Sequence, residues 1–453
     1  MVTNKKGKSH LRIVNNIMKT VNSLKCVLKK SYCWLFYLGL GFMVTGDFPR
    51  FPFGIEERKI LFLAFSWPKL YIIFFSLSFL SYIFSNGLDI NKIKKFRFLL
   101  TPLCFLFTSF LLSALFSSNL LLSLHAFILS TIVLLFLIFF AILLEDKNIA
   151  SIAWTLISLS ILFLALRVIF WRANESLSLG AYHVGNNSWL GKLQITWVLN
   201  FFAPFFLANT LGNKDKIFKI MNALVWLVSA LAIITLYSRT GFLTLILTTT
   251  LIFVMNMGHF KKLLLSTSLF ASVFLFSLLN NSFMKTQLFS SLINFYKDPG
   301  IKNRINIWKE SFQMFTDHPI TGIGFGTYDH IAYTQYLTQL DQFAGIKNTF
   351  FKNGWHAHNF MLHTLTETGL FGFFSWIYIC YTIFLYIRIY TSHTVNKLKS
   401  SILVSLFFSF FILSSTENLL AVRVHESFRM NLTFWFLVLY ALGSLTQENE
   451  RLT

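Results

Sequence analysis

Two histidines stand where a long polar segment of the chain meets a strongly apolar one. Residues 355–360 read WHAHNF, so His356 and His358 directly precede an apolar run. Near neutral pH an imidazole can accept a proton from a sugar hydroxyl, which makes His358 the first candidate for a general base. His356 competes for this role or for substrate binding, because it lies only two residues earlier. Asn359 is expected to orient the substrate or to cap the following helix.

Other interpretations of these histidines stay open. A structural histidine with satisfied hydrogen bonds is the common case, and a metal site formed by His356, His358 and His363 is another. The metal site is disfavoured, because ligands two residues apart on a helix point in different directions. Glu367 shares a helix face with His356 inside the same apolar stretch. We expect this carboxylate to pair with a polar group or to cap a neighbouring helix.

Two arginines are candidates for contact with an anionic substrate. Arg239 lies between two apolar stretches, where a guanidinium is costly unless it has water, a partner or a ligand. Arg304 lies on the apolar side of an amphipathic helix predicted over 301–315, where apolar residues recur at alternating spacings of four and three. A guanidinium can bind phosphate oxygens in a bidentate manner. Snorkelling at the membrane surface is the alternative for both residues, and a structural ion pair is a further one for Arg239. Arg172, in an earlier outer segment, is a weaker candidate for the same contact.

The segment between that helix and the histidines contains three alternate glycines, Gly322, Gly324 and Gly326. Such a run allows tight backbone turns and can leave amides free to bind an anion. We predict a turn at this point, with a phosphate-binding loop as the less favoured alternative.

Membrane helices must position these groups. Of the 453 residues, 55% are hydrophobic and 13% are charged, which is too little charge for the surface of a soluble domain of this size. The predicted fold class is an all-α polytopic membrane protein with about twelve transmembrane helices and one large, partly helical outer loop. The predicted spans cover residues 31–46, 60–85, 97–117, 120–144, 149–167, 190–210, 217–236, 240–257, 263–280, 358–388, 399–416 and 428–445.

The formal net charge of +21 is explained by topology and does not indicate nucleic-acid binding. Basic residues concentrate in loops of one parity, which places both termini in the cytoplasm. The segment 167–189, the turn 237–241 and the large loop then lie outside. The predicted divisions are a basic cytoplasmic leader 1–30, spans one to nine within 31–280, the large loop 281–357, spans ten to twelve within 358–445, and a cytoplasmic tail 446–453.

The order of these motifs resembles the O-antigen ligase and polymerase superfamily. The resemblance covers about residues 30–445, with its specific motifs confined to about 237–372. They are His358-Asn359 followed after nine residues by Gly369 and Gly372, Arg304 with Trp308, His318-Pro319 with the glycine turn, and the turn Ser238-Arg239-Thr240-Gly241.

The resemblance implies a metal-independent, inverting glycosyltransferase that needs no cofactor and takes an undecaprenyl-pyrophosphate-linked glycan as donor. It also implies that Arg239 and Arg304 bind the pyrophosphate as negative charge grows there, and that His358 is the general base. It places the large loop in the periplasm.

We expect an O-antigen ligase of lipopolysaccharide biosynthesis, which moves a polysaccharide to lipid A-core at the periplasmic face of the bacterial inner membrane. An O-antigen polymerase is the first alternative, and a protein O-oligosaccharyltransferase is the next. A transporter of lipid-linked sugars is disfavoured, because no internal repeat is visible in the sequence and the candidate groups cluster at one face.

Overall fold

The structure is a computed structural model, and almost all the residues that it describes are helical, with no strand among them. It describes residues 27–28, 30–44, 70–87, 96–177, 192–212, 215–236, 238–256, 299–336, 356–390, 396–415 and 425–452. In chain order the helices are α1 (30–44), α2 (Leu70–Asn86), α3 (Arg97–Leu115), α4 (Leu120–Leu144), α5 (Lys147–Leu177), α6 (Lys192–Gly212), α7 (Lys216–Thr235), α8 (Arg239–Asn256), α9 (Pro299–Asp317), α10 (Tyr328–Ile331), α11 (Phe360–Tyr390), α12 (Asn396–Ser414) and α13 (His425–Leu452).

The predicted fold class, an all-α polytopic membrane protein, is confirmed. Within the described residues, seven helices are long and apolar enough to cross a membrane: Phe98–Leu115, Leu120–Leu144, Lys147–Phe170, Ile195–Gly212, Lys216–Thr235, Phe360–Ile389 and Lys397–Ser414. Shorter apolar helices cover Tyr71–Asn86, Thr240–Asn256 and Met430–Gly443. The span predicted over 263–280 lies outside the described residues, so the count of about twelve stays a prediction, as do the domain divisions.

The chain divides into two compact units, which are described separately. Unit 1 comprises Met1–Lys94 and Ile142–Ser160, and unit 2 comprises Lys95–Ala141 and Ile161–Thr453. In unit 1, the Oγ of Ser78 donates a hydrogen bond to the carbonyl oxygen of Tyr32 (2.6 Å). This bond joins α1 to α2 and gives a buried hydroxyl a partner, as an apolar environment requires.

In unit 2, helix α12 packs against α6, α8 and α13 through a face of small side chains. Ser401, Ser405 and Ser409 recur at every fourth position of α12, and all three are fully buried. The amide Nδ2 of Asn256, at the end of α8, donates to the Oγ of Ser401 (2.8 Å). Small residues allow helices to approach closely where water does not drive their association.

Helix α11 is interrupted by a kink at Gly369. The backbone there has φ +62° and ψ −159°, so helical segments precede and follow this residue. Helix α3 runs along α11, and α9 and α12 also contact it. The kink therefore lies within packed protein, where broken helices are tolerated.

Helix α5 extends beyond the end predicted for the fifth span. We placed the outer segment 167–189 directly after that span, but helix α5 continues to Leu177. The apolar run 168–171 carries the helix beyond Arg167, whose side chain is exposed. Arg172 therefore lies on a helix, and its side chain is outside the described part of the structure.

Candidate active site

The glycine turn that follows α9 is hydrogen-bonded to the kink in α11. The amide of Ile323 donates to the carbonyl oxygen of Thr366 (2.9 Å), and the amide of Leu370 donates to that of Pro319 (2.9 Å). These groups are available because Gly369 interrupts the helix, which leaves helical amides and carbonyls without their usual partners. The residues of the turn thus provide hydrogen-bond partners for groups of α11 that the kink leaves without helical partners.

The two backbones approach so closely that a glycine is needed on each side. A Cβ atom added at Gly322 would collide with the backbone of Glu367, and one added at Gly369 would collide with the carbonyl group of Ile320. Both glycines also have positive φ, at +71° and +62° respectively. The predicted turn is confirmed, and its partner is the glycine motif near the start of α11.

The anion that the glycine turn binds is a side chain of the protein itself, Glu367. The buried carboxylate of Glu367 accepts hydrogen bonds from the amides of Tyr328 (3.1 Å) and Gly326. The amide of Gly324 donates to the main-chain oxygen of Glu367 (3.2 Å). The alternative of a phosphate-binding loop is therefore wrong for these amides, because they already have acceptors within the chain.

His363 is the side-chain partner of Glu367, one helical turn earlier. Its Nε2 lies 3.3 Å from Oε2 of Glu367, and its Nδ1 accepts a long hydrogen bond from the amide of Ala357 (3.5 Å). This arrangement requires the tautomer with its proton on Nε2, since Nδ1 is an acceptor. Both ring nitrogens are therefore engaged, which argues against the site formed by His356, His358 and His363. In the described part of the chain, no three His, Cys, Asp or Glu side chains form a group that could hold a metal ion.

Tyr328 and Ser311 extend this polar network to α9. The Oη of Tyr328 and the Oγ of Ser311 are 2.6 Å apart, and the Tyr328 ring lies 4.8 Å from the ring of His363. Thr366 adds a further link, because its Oγ1 donates to the main-chain oxygen of Ser311 (3.0 Å). Burial raises the pKa of Tyr328 well above its ordinary value, so this hydroxyl stays protonated and available as a donor.

The segment that carries the two candidate histidines is held against α9. The indole Nε1 of Trp308 donates to the carbonyl oxygen of Ala357 (2.9 Å). The rings of His356 and His358 have their centroids 4.2 Å apart, and both residues are half-buried. His358 has φ +48°, which is uncommon for a residue other than glycine.

Asn359 caps the helix that follows. Its Oδ1 accepts a hydrogen bond from the amide of Leu362 (3.0 Å), and α11 begins at Phe360. This is the cap geometry expected for asparagine, and it corresponds to one of the two roles predicted for this residue.

Helix α9 is observed at Pro299–Asp317, in agreement with the helix predicted over 301–315. Only part of the predicted apolar face, however, turns towards the protein: Trp308 and Phe315 are half-buried. Ile305 and Phe312 are 42% and 56% exposed, whereas Ser311 and Met314 are fully buried. Periodicity identifies residues that share a face, but a membrane surface can take up an apolar face as well as a protein core can. Arg304 is half-buried on this helix.

Arg239 is the first residue of α8, and the hydrogen bonds around it fix the start of that helix. The amide of Gly241 bonds to the Oγ of Ser238 (3.2 Å), and Gly241 lies against Thr196 and Asn200 of α6. The side chain of Arg239 is outside the described residues. Trp308 thus links the helix of Arg304 to the histidine segment, while the described contacts of the Arg239 turn run to α6.

A cavity of about 50 Å³ lies beside the Glu367–His363 pair, between α3, α4, α11 and α13. This volume holds a few water molecules. The Oδ1 of Asn431, which lines the cavity, is buried and has no hydrogen-bond partner among the described residues. Bound water would give this atom the partner that a buried polar group requires.

The part of the chain that contains this site is similar to a known protein family. Residues 223–377 match the family model described as O-antigen ligase. Over this segment the chain is similar to the O-antigen ligase family. The matched segment is about a third of the chain and contains every candidate site residue except Arg172. No curated protein matched the chain.

This match confirms the superfamily resemblance, and it supports a glycosyltransferase-like activity of the ligase or polymerase type. The family implies lipid-linked glycan substrates and a lipid acceptor in general. Together with the apolar helices, the match indicates a multi-pass membrane protein.

One part of this segment, the pair of His363 and Glu367, was not predicted from the sequence. His363 entered only as part of a metal alternative, and Glu367 was given no specific partner. Their spacing of four residues on a predicted helix was the available signal, because such residues are neighbours on a helix surface. The Glu367 contact with Tyr328 had no comparable signal, since it joins residues far apart in the sequence.

Proposed function

We propose that this protein is an O-antigen ligase of the bacterial inner membrane. It transfers a polysaccharide from undecaprenyl pyrophosphate to a sugar of lipid A-core on the periplasmic side, in lipopolysaccharide biosynthesis. His358 is the general base, and Arg239 and Arg304 bind the donor pyrophosphate. His356, Asn359 and Arg172 line or support the substrate site. The reaction requires no metal ion and no cofactor.

One observation carries the proposal. Within the segment that matches the family, Trp308 bonds to Ala357, the residue before His358. Arg304 lies one helical turn before Trp308 on α9, so a residue for donor binding and a residue for proton transfer belong to one hydrogen-bonded assembly. A transferase needs both functions close together, because the acceptor oxygen attacks the carbon that carries the pyrophosphate.

The chemistry is a single displacement. His358 accepts the proton of an acceptor hydroxyl while the oxygen of that hydroxyl forms a bond to the anomeric carbon of the donor. The bond between this carbon and the pyrophosphate oxygen breaks, and the electron pair leaves with undecaprenyl pyrophosphate. One displacement inverts the anomeric configuration. Arg239 and Arg304 stabilise the negative charge that grows on the leaving group, an effect of preorganised positive charge near a transition state.

The test uses purified full-length protein, a glycan linked to undecaprenyl pyrophosphate, and lipid A-core. We expect glycan to appear on lipid A-core. His358→Ala should lower the initial rate on the order of 10²- to 10⁴-fold, the usual contribution of a general base. Arg304→Ala should lower it on the order of 10²-fold or more, with partial recovery in Arg304→Lys, which restores the charge without the fork.

His330→Ala is the matched control, because His330 is exposed on the same loop and should not affect the rate. Full activity in His358→Ala with loss in His356→Ala would transfer the base role to His356. Longer glycan that remains on the pyrophosphate carrier would establish a polymerase and contradict the ligase proposal. Strict dependence on an added metal ion would contradict the proposed mechanism.

A further inference from the structure

Ala357 is fixed at three points, more firmly than its small side chain would suggest. Trp308 of α9 donates to its carbonyl oxygen (2.9 Å), and its amide donates to Nδ1 of His363 on α11 (3.5 Å). Its methyl group is fully buried in a hydrophobic cluster that includes Met314 and Tyr328. The peptide groups on both sides of Ala357 are thus held by two different helices.

The residue after this anchor has a conformation that needs support. His358 has φ +48°, a backbone conformation that is strained for a residue other than glycine. It persists only where the surroundings determine the backbone on either side. On one side the Ala357 anchor supplies this support, and on the other side Asn359 caps α11 through its bond to Leu362 (3.0 Å).

We propose that Trp308 and His363 are positioning residues for His358, and that they act by clamping Ala357 between α9 and α11. The inference rests on the proposed function, in which His358 is the general base. Because Arg304 lies one turn from Trp308 on α9, the clamp also sets the base relative to a residue that binds the donor.

Glu367 makes the clamp depend on a charge. Its carboxylate faces Nε2 of His363 (3.3 Å), which keeps the proton on Nε2 and leaves the Nδ1 lone pair for the amide of Ala357. The other carboxylate oxygen accepts the amide of Tyr328 (3.1 Å). In Glu367→Gln the side-chain amide would place a donor against either His363 or Tyr328, whichever way it is oriented. A glutamine therefore cannot reproduce both bonds.

The test compares two tryptophan variants in the transfer assay with full-length protein. Trp308→Phe keeps an aromatic ring and removes the donor to Ala357. Trp226→Phe is the matched control, because the Nε1 of Trp226 is buried without a hydrogen-bond partner among the described residues. We expect Trp308→Phe to lower kcat on the order of 10- to 100-fold, with the KM for the donor and the thermal unfolding midpoint close to those of Trp226→Phe.

Two further measurements distinguish positioning from a general structural role. In a His358→Ala background, Trp308→Phe should cause no additional loss of the residual rate, because residues that act through one another are not additive. Glu367→Gln should reproduce the loss of kcat with little change in KM. If Trp308→Phe does not fold, Glu367→Gln tests the positioning role in the same assay.

The inference is overturned if Trp308→Phe has the kcat of Trp226→Phe, or if its lower rate follows its thermal midpoint or the donor KM. It is also overturned if Trp308→Phe and His358→Ala lower the rate independently. The outcomes separate the two proposals. A fully active His358→Ala protein contradicts the proposed general base, whereas an inactive His358→Ala beside a fully active Trp308→Phe contradicts the clamp alone.

Discussion

Gly369→Ala tests the contact on which the geometry of the site depends. Gly369 has φ +62° and ψ −159°, a region that alanine enters at a cost of about 2 kcal/mol. Its new Cβ would also collide with the carbonyl group of Ile320, which is main chain and cannot rotate away. We therefore expect the glycine turn and the kink to separate in this variant.

The cost follows from the hydrogen bonds that cross this contact. They run from Leu370 to Pro319 (2.9 Å), from Ile323 to Thr366 (2.9 Å) and from Gly324 to Glu367 (3.2 Å), and each contributes about 1 kcal/mol net. Together with the backbone strain, we expect Gly369→Ala to lower the free energy of unfolding by roughly 5 kcal/mol.

Gly443→Ala is the matched control for the same chemical change. Gly443 lies within α13, and a Cβ added there meets no atom within 4 Å. This variant should be more stable than the parent by about 0.5–1 kcal/mol, because alanine is the better helix former. The measurement is the thermal unfolding midpoint of both proteins in one detergent. A Gly369→Ala midpoint equal to or above that of Gly443→Ala would refute the close approach of turn and kink.

Two more predictions concern residues around the candidate site. Burial raises the pKa of Glu310 above its ordinary value. The protonated carboxyl therefore stabilises the folded state at pH values below the ordinary carboxyl pKa, and this stabilisation is lost as the pH rises through the raised pKa. Glu310→Gln should therefore unfold at a higher temperature than the parent near neutral pH, and this difference should disappear in acid. An equal difference at both pH values would contradict the raised pKa of Glu310. Asn359→Ala should destabilise the protein by about 1 kcal/mol, because it removes the cap on α11. Asn359→Ser should retain most of the stability, since serine can also cap a helix. Equal unfolding midpoints for the two variants would count against the cap.

The sequence predicts the helices well because their signals are local. Helix α9 was expected over 301–315 and is observed at Pro299–Asp317, where a proline opens the helix and His318-Pro319 follows it. The span predicted over 358–388 is observed as Phe360–Tyr390. Apolar runs and proline positions are properties of neighbouring residues, so they can be recognised without knowledge of the fold.

The orientation of α9 could not be predicted in the same way. Its periodicity correctly groups Ile305 with Phe312, yet these two side chains are exposed, whereas Ser311 and Met314, which are not part of the apolar pattern, are buried. A serine can be buried here because its hydroxyl has the hydroxyl of Tyr328 as a hydrogen-bond partner, while the side chain of Thr366 donates to its main-chain oxygen. Those partners come from other parts of the chain, so the pattern within the helix carries no information about them.

The glycine turn shows why the identity of an anion is harder to predict than an anion-binding geometry. One of the three alternate glycines, Gly326, donates its amide to a negative charge, the Glu367 carboxylate, which also accepts the amide of Tyr328. Because this charge is a side chain of α11, its bonds to the turn join α9 to α11. The amides that it occupies are not available to a substrate phosphate. A lipid pyrophosphate then needs positive side chains, which is the role proposed for Arg239 and Arg304. The buried carboxylate and the arginines thus have separate tasks in the proposed mechanism: Glu367 holds the framework around His358, and the arginines meet the charge that leaves with the donor lipid.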